Sequence, residues 1–374
     1  MNRMKGKWFF TVVLLSMVFF VPFAGRGQSK YSNEFLSLGV GAKGLALANT
    51  QVAMTSDVTS GYWNPAGLAN VEQKYQLSLM HAEYFASIAK YDFVAFSYRV
   101  DELQSIGATI IRFGVENIPN TTQLIDKQGN VDYDRITNFN AADWGILLSY
   151  GRTFKQVKGL AFGGNFKIIH RRIGDFTGAW GFGLDAGLQY QLKKWKFGLT
   201  LKDVTSTFNV WYFNLSDEMK EVFELTGNEI PQNGLEYTMP RLLIGSGRDF
   251  DLGKGFSLMT TIDLDMSFDG RRNELINSKA MNISPHMGIE FGYKNIVFLR
   301  TGVGNIQKER KLDLEKGEKN VVTCQINLGI GFCIKDIVTV DYAYCDIGDV
   351  SVALYSHVFS LKLALNSLKK ASSQ

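Results

Sequence analysis

Residues able to do chemistry are present in this chain, but they do not converge. The four histidines, His81, His170, His286 and His357, fall in separate segments. None belongs to an HExxH pair, and no GxSxG nucleophile turn occurs. The three cysteines, Cys324, Cys333 and Cys345, crowd towards the C-terminus at spacings that fit neither a CxxC metal pair nor an even-numbered disulfide framework. No catalytic residue, metal or cofactor is therefore expected. What remains is a set of charges inside alternating segments: Arg112, Lys167, Asp185, Lys196, Lys202, Asp263, Asp265, Glu290, Arg300 and Asp341. On the inner face of a curled sheet they either line a polar path or compensate one another across strands. Unpaired charge in a confined space is costly, so pairing is the expectation.

The segments that carry these charges repeat with a period of two. In 182–192, Phe182, Leu184, Leu188, Tyr190 and Leu192 alternate with Gly183, Asp185, Gly187, Gln189 and Gln191. Residues 195–202, 258–268 and 322–332 behave alike, one face greasy and aromatic, the other small, polar or charged. Such runs suit tilted bilayer-crossing strands of ~9–11 residues better than the usual soluble strand of ~5–6. Fourteen begin near Tyr75, Ile88, Leu103, Asp143, Gly159, Trp180, Trp195, Pro240, Gly255, Ser284, Ile296, Val321, Asp336 and Ala353. Short connections (101–103, 153–159, 194–195, 250–255, 294–295, 335–336) alternate with long ones at 116–142, 204–239, 269–283 and 305–320, and with shorter ones at 86–88, 173–179 and 347–352. The reading is an all-β transmembrane antiparallel barrel of about fourteen strands, both termini on the short-turn side. On parity Cys324 faces outward with Val322 and Ile326 while Cys345 faces inward, so free, buried thiols are expected rather than a bridge.

Composition agrees. Glycine (37 residues) and aromatics (13%) are plentiful and proline is scarce (6). Arg3, Lys5 and Lys7 precede an apolar run ending at Pro22, and Gly25 and Gly27 form a small-residue cleavage site before Gln28, which reads as an export signal over residues 1–27. The whole chain's net charge of +4 vanishes when that leader, with Arg3, Lys5, Lys7, Arg26 and no acid, is set aside. No basic stripe suggests nucleic acid. The expected organisation is leader 1–27, an N-terminal plug or hatch 28–72, barrel 73–366 and polar tail 367–374.

The connection 204–239 carries Phe208, Trp211, Tyr212 and Phe213, then a helix start at Ser216 whose Met219, Val222 and Phe223 share one face. This loop reads as a lid over the barrel mouth, a protein-docking surface, or part of an aromatic interfacial girdle.

Residues 35–69, "FLSLGVGAKGLALANTQVAMTSDVTSGYWNPAGLA", resemble the PorV/PorQ outer-membrane proteins of the type IX secretion system, within the FadL-like transporter fold of fourteen strands. The likeness rests on Phe35-Leu36, Gly41-Ala42-Lys43-Gly44, Asp57 and, most closely, Asn64-Pro65-Ala66-Gly67-Leu68 after Trp63. Lys43 stands where the family usually has Arg, and Leu47-Ala48-Asn49 replaces Met-Gly-Gly. The resemblance implies an outer-membrane barrel, set among outer-membrane lipids, that receives secreted cargo proteins beside a larger translocon barrel. The alternative it implies is a FadL-like channel for hydrophobic small molecules, with a plug and a lateral opening. Lys43, Asp57, Trp63, Asn64, Pro65 and Gly67 are the candidate hatch residues. Pro65 biases Asn64 to extended backbone and Gly67 permits the turn.

Overall fold

The computed structural model describes residues 32–124, 130–313, 317–347 and 355–366. The expected leader, its cleavage point and the tail 367–374 lie outside them. Seventeen strands form one antiparallel sheet, and fourteen of these are staves of a closed barrel. In chain order the first seven staves are β1 (Tyr75–Tyr84), β2 (Ala89–Arg99), β3 (Gln104–Asn120), β4 (Thr137–Thr153), β5 (Leu160–Ile173), β6 (Thr177–Leu192) and β7 (Trp195–Lys202). Two loop strands follow, β8 (Phe208–Phe213) and β9 (Gly234–Tyr237), then staves β10 (Arg241–Gly253) and β11 (Phe256–Ser267) and a two-residue strand, β12 (Ile276–Asn277). The last five staves are β13 (Asn282–Tyr293), β14 (Val297–Asp313), β15 (Gly317–Ile334), β16 (Val338–Ile347) and β17 (Ser356–Leu365). Each stave pairs with the next, β7 with β10 and β11 with β13, and the ring closes between β1 and β17 from Tyr75↔Leu365 to Glu83↔His357. Closure removes the sheet edges that a bilayer cannot solvate.

Alternation sorts the side chains. Leu79, Phe96, Ile110, Leu188, Ile262, Leu299, Phe332 and Val340 stand exposed on the outer face, as lipid requires. Aromatic pairs mark the short-turn rim, with ring centroids 5.4 Å apart for Tyr75–Tyr98 and 4.7 Å for Phe256–Tyr293. At the opposite rim Trp180 stacks on His170 at 4.2 Å.

The interior holds the N-terminal segment, residues 32–71. A barrel this wide leaves space that wall side chains do not fill. The segment fills it with short helical turns at Glu34–Ser37, Ala42–Ala46, Ser60–Trp63 and Pro65–Asn70, and Val40, Leu47, Val52 and Leu68 are wholly buried. It reaches the wall on all sides: Ala42 N donates to Ser360 Oγ on β17 (3.1 Å), Thr200 Oγ1 on β7 to the Trp63 carbonyl (3.3 Å), and Asn327 Nδ2 on β15 to the Leu45 carbonyl (2.8 Å). Inward glycines make this approach possible. A Cβ at Gly163 would overlap the Pro65 carbonyl, one at Gly198 that of Val52, and one at Gly302 the Leu47–Ala48 peptide. The glycine abundance therefore reflects docking seats as much as turns.

Several boundaries differ from the sequence reading. The connection expected at 305–320 is mostly strand and that at 116–142 partly so: β3 runs to Asn120 and β4 begins at Thr137 rather than Asp143, and β14 and β15 continue as a paired hairpin from Gln307↔Thr323 to Asp313↔Gly317. Polar residues there mimic a loop because, away from the apolar band, a hairpin needs no greasy face. The cysteines are free and Cys345 is buried, but Cys324 is exposed on the outer face rather than buried.

Replacing Gly163 with Val forces its side chain into the Pro65 peptide. Overpacking of this kind costs about 1–3 kcal/mol, so thermal unfolding in detergent should fall measurably. An unchanged transition would show that the segment yields freely.

Candidate functional site: the lumen and its N-terminal segment

The hatch residues form one hydrogen-bonded knot. Asn64 is fully buried and extended (φ −156°), as the following proline favours. Its Oδ1 accepts from Ala66 N (3.2 Å), and its Nδ2 donates to the carbonyls of Val52 (2.8 Å) and Leu188 on β6 (3.0 Å). One amide thus caps the Pro65–Asn70 turn and ties it both to the segment and to the wall. Trp63 Nε1 donates to the Val40 carbonyl (3.2 Å), and Tyr62 OH donates to Leu36 O (2.8 Å) while accepting from Gly39 N (3.0 Å). Gly67 is required by close approach, not by its φ. A Cβ there would sit 2.7 Å from Ser60 Oγ and 2.5 Å from the Thr55 carbonyl.

Two ion pairs latch this knot to the wall. Asp57 meets Lys362 on β17 at 2.7 Å, and Lys43 approaches Glu290 on β13 at 3.8 Å. Burial by itself would push the Asp57 carboxyl up, but the Lys362 ammonium, aided by Lys43 and the Thr59 hydroxyl, holds it well below the usual carboxylate range. Lys362 is not among the candidate residues, although the alternation of the last strand puts it with Ser360 on the inward, polar face.

Nine of the ten candidate lumen charges point inward, Lys196 (2.9 Å from Asp249) and Lys202 (over the Tyr62 ring) among them. Lys167 bridges Asp185 (2.8 Å) and Asp203, the latter presented by a bulge at 203–207 between β7 and β8. Arg300 bridges Glu290 (2.5 Å) and Asp341 (2.6 Å), and Asp265 binds Arg241. Asp263 has no cation partner; its Oδ2 accepts from Val52 N at 2.9 Å. Arg112 is the correction. β3 turns Ile111 and Phe113 inward, where they pack with Tyr91, Phe93 and the segment's Tyr62 and Trp63. Arg112 therefore lies outside, near Asp92 (3.4 Å), Glu116 (3.3 Å) and the Trp144 ring (5.8 Å). An apolar filling makes this part of the inner wall apolar, so polarity alone assigns the wrong face. His81, bonded to Asp92 at 2.7 Å, and His357, bonded to the Tyr342 hydroxyl at 2.7 Å, share that outer surface.

The aromatic connection is not a single surface. β8 pairs with the upper half of β6 and with β9, so Phe208 and Tyr212 face outward while Trp211 donates to Glu236 (2.6 Å) beneath the Arg171 guanidinium. Phe213 is half-buried. The helix forms at Asp217–Leu225, capped by Ser216 Oγ accepting from Met219 N (3.3 Å), with Met219 and Phe223 on its half-buried face.

Above the segment lies a cavity of about 390 Å³ lined on one side by Asn49, Asp263, Glu274, Ser284, His286 and Asn305. There the wall changes. The β13–β14 ladder stops at Met287↔Val303, although β13 continues to Asn282. Lys294 N donates across to Gly255, so by alternation the odd-numbered amides of β13 face β14. Pro285 offers no such amide, and Asn305 opposite it takes a left-handed turn (φ 48°). The two strands part as a result. Pro285 was the signal available in the sequence, a proline inside an otherwise regular strand.

No protein-family model and no curated protein matches the sequence. Solved structures do match. The monoaromatic hydrocarbon channel CymD aligns with TM-score 0.54 at 11% identity over 88% of this chain and 98% of that one. The Ralstonia pickettii toluene transporter TbuX gives 0.52 at 13% identity (87% and 98%), and the Pseudomonas putida toluene transporter TodX gives 0.51 at 13% (88% and 98%). The shared fold is a closed antiparallel barrel of fourteen strands. At these identities the likeness carries the architecture alone.

Removing one partner of a buried pair leaves the other uncompensated, at about 3–5 kcal/mol. Asp57→Asn should therefore lower stability markedly at pH 7. The lowered pKa of Asp57 means that its contribution is present above the ordinary value of ~3.9 and is lost as pH falls through the folded value. The gap between wild type and variant should narrow below about pH 4 in thermal unfolding. A gap independent of pH would refute the latch.

Proposed function

We propose that the chain is an outer-membrane conduit for small molecules, in which residues 28–72 act as a plug and the parted β13–β14 wall as a lateral passage between lumen and bilayer. The observation that carries the reading is the cavity, whose lining includes Ser284 and His286 on one lip of the gap and Asn305 on the other. Met287 and Val303, where the ladder stops, are exposed on the outer face, so the gap opens at the edge of the apolar band. The packing of residues 32–71 inside the barrel favours a side route. The short-turn side, with the C-terminal end of β17, is then periplasmic and the cavity opens outward; contrary to the expectation for both termini, Ser32 and Asn33 meet Asn209 and Thr238 at the long-connection end. Export with cleavage near Gln28 would deliver the plug together with the barrel.

A second reading is a type IX secretion component that binds cargo proteins or a larger translocon barrel. Its support is the residue 35–69 likeness and the β14–β15 hairpin, which pairs with itself beyond Val303. The FadL-like fold sits better with the conduit.

In liposomes carrying the purified barrel, a small aromatic solute such as toluene should equilibrate faster than in empty vesicles. Gly304→Leu sets a side chain against the His286 ring, 2.5 Å from Nδ1 at its Cβ, and should cut that rate about tenfold in a barrel that still shows heat-shifted gel mobility, a loss of ~1.4 kcal/mol in transition-state terms. An unaltered rate would overturn the side route. Recovery of translocon proteins with the barrel from native membranes would favour the second reading instead.

A further inference from the structure

Four buried polar atoms on one side of the cavity have no hydrogen-bond partner among the described residues: Asn49 Oδ1, Asp263 Oδ1, Glu274 Oε2 and His286 Nδ1. Asn49 Oδ1 is an acceptor, and so are the two carboxyl oxygens when ionised. The four atoms come from the N-terminal segment, β11, the 268–281 connection and β13, and Asp263 stands directly opposite His286 in the ladder. Asp263 is only 3% exposed, and among the described residues it has a backbone donor, Val52 N, but no Lys or Arg ion-pair partner. Buried acceptors without donors cost free energy, and a site that leaves several in one place is complementary to a donor-rich occupant.

Lys202, Arg241 and Arg272 also reach this cavity. Arg241 is bound by Asp265 and by Ser37 Oγ (2.5 Å), and Arg272 by Asp269 and Glu34. The Lys202 ammonium lies 4.4 Å from the centre of the Tyr62 ring. The cations are engaged, whereas one oxygen of each carboxyl, Asp263 Oδ1 and Glu274 Oε2, has no hydrogen-bond donor among the described residues. Leu38, Leu45, Trp63 and Leu243 supply apolar lining beside them.

We propose that this cavity is a binding site for a small amphiphilic amine, its ammonium held by Asp263 and Glu274 and its apolar body against Leu45 and Trp63. At about 390 Å³ the space suits a molecule of one or two rings. The site adjoins the β13–β14 gap, with the His286 ring leaning on Gly304, so a ligand there stands at the lateral passage. The inference rests on the conduit reading and names the class of solute that the conduit selects.

Calorimetry on the full-length barrel in detergent would compare three probes sharing one ring: 2-phenylethylamine, phenylacetate and toluene. The amine should bind at least tenfold more tightly than either. Asp263→Asn and Glu274→Gln should each weaken it about tenfold or more, as loss of a charged hydrogen bond predicts, without changing heat-shifted mobility. Equal or tighter binding of toluene or phenylacetate, or amine binding indifferent to both substitutions, overturns the inference. If the amine fails while Gly304→Leu still slows toluene, this inference falls and the conduit stands. If neither responds, both fall.

Discussion

A closed ring of fourteen strands encloses more space than its own side chains occupy, and everything else in this molecule follows from how that space is filled. Residues 32–71 fill it, and they do so through backbone as much as side chains. That is why Gly163, Gly198 and Gly302 bring segment peptides into direct contact with the wall. Burying so much backbone creates polar groups that only the wall can satisfy. Asn64, Thr200 and Asn327 meet that demand from both sides of the contact. The hydrophobic gain is local, concentrated where Val40, Val58, Tyr62 and Trp63 meet Tyr91, Phe93, Ile111 and Ile169.

Charge inside the barrel obeys the same constraint. Lys167 with Asp185 and Asp203, and Arg300 with Glu290 and Asp341, form compact triads in which one cation is shared by two carboxylates, and Lys43 adds a second cation beside Glu290. Lys43 and Asp57 join the segment to this system, so the motif that looks conspicuous in the sequence is explained by compensation across the segment–wall contact. Asp263 departs from the pattern, and it does so beside the cavity. Its Oδ2 accepts from Val52 N, while Oδ1 is left without a donor among the described residues.

The wall is uneven for reasons of backbone chemistry. Along β1 to β6 the ladders run nearly unbroken and the lumen is packed. Between β13 and β14, one missing amide at Pro285 and one left-handed residue at Asn305 end the pairing early. A sheet tolerates such a defect in a bilayer only where the freed groups face a cavity or protein, and here the cavity reaches both lips.

Period-two alternation and turn spacing were enough to determine the fold class, the number of staves and most strand ends, because lipid imposes a strict apolar outer face whatever the rest of the chain does. The inward parity of Lys167, Asp185, Glu290, Arg300 and Asp341 was legible for the same reason. Arg112 was not, since the side it faces depends on an apolar segment inside the barrel that no strand pattern reports. The long hairpin at 305–320 was hidden because strands beyond the bilayer lose the alternation that reveals them. Which residues meet was decided by tertiary structure alone: Asp57 with Lys362, Asn64 with Leu188, the orphaned Asp263 with its cavity. These contacts join positions far apart in the chain, and only closure of the barrel around its own N-terminus brings them within reach.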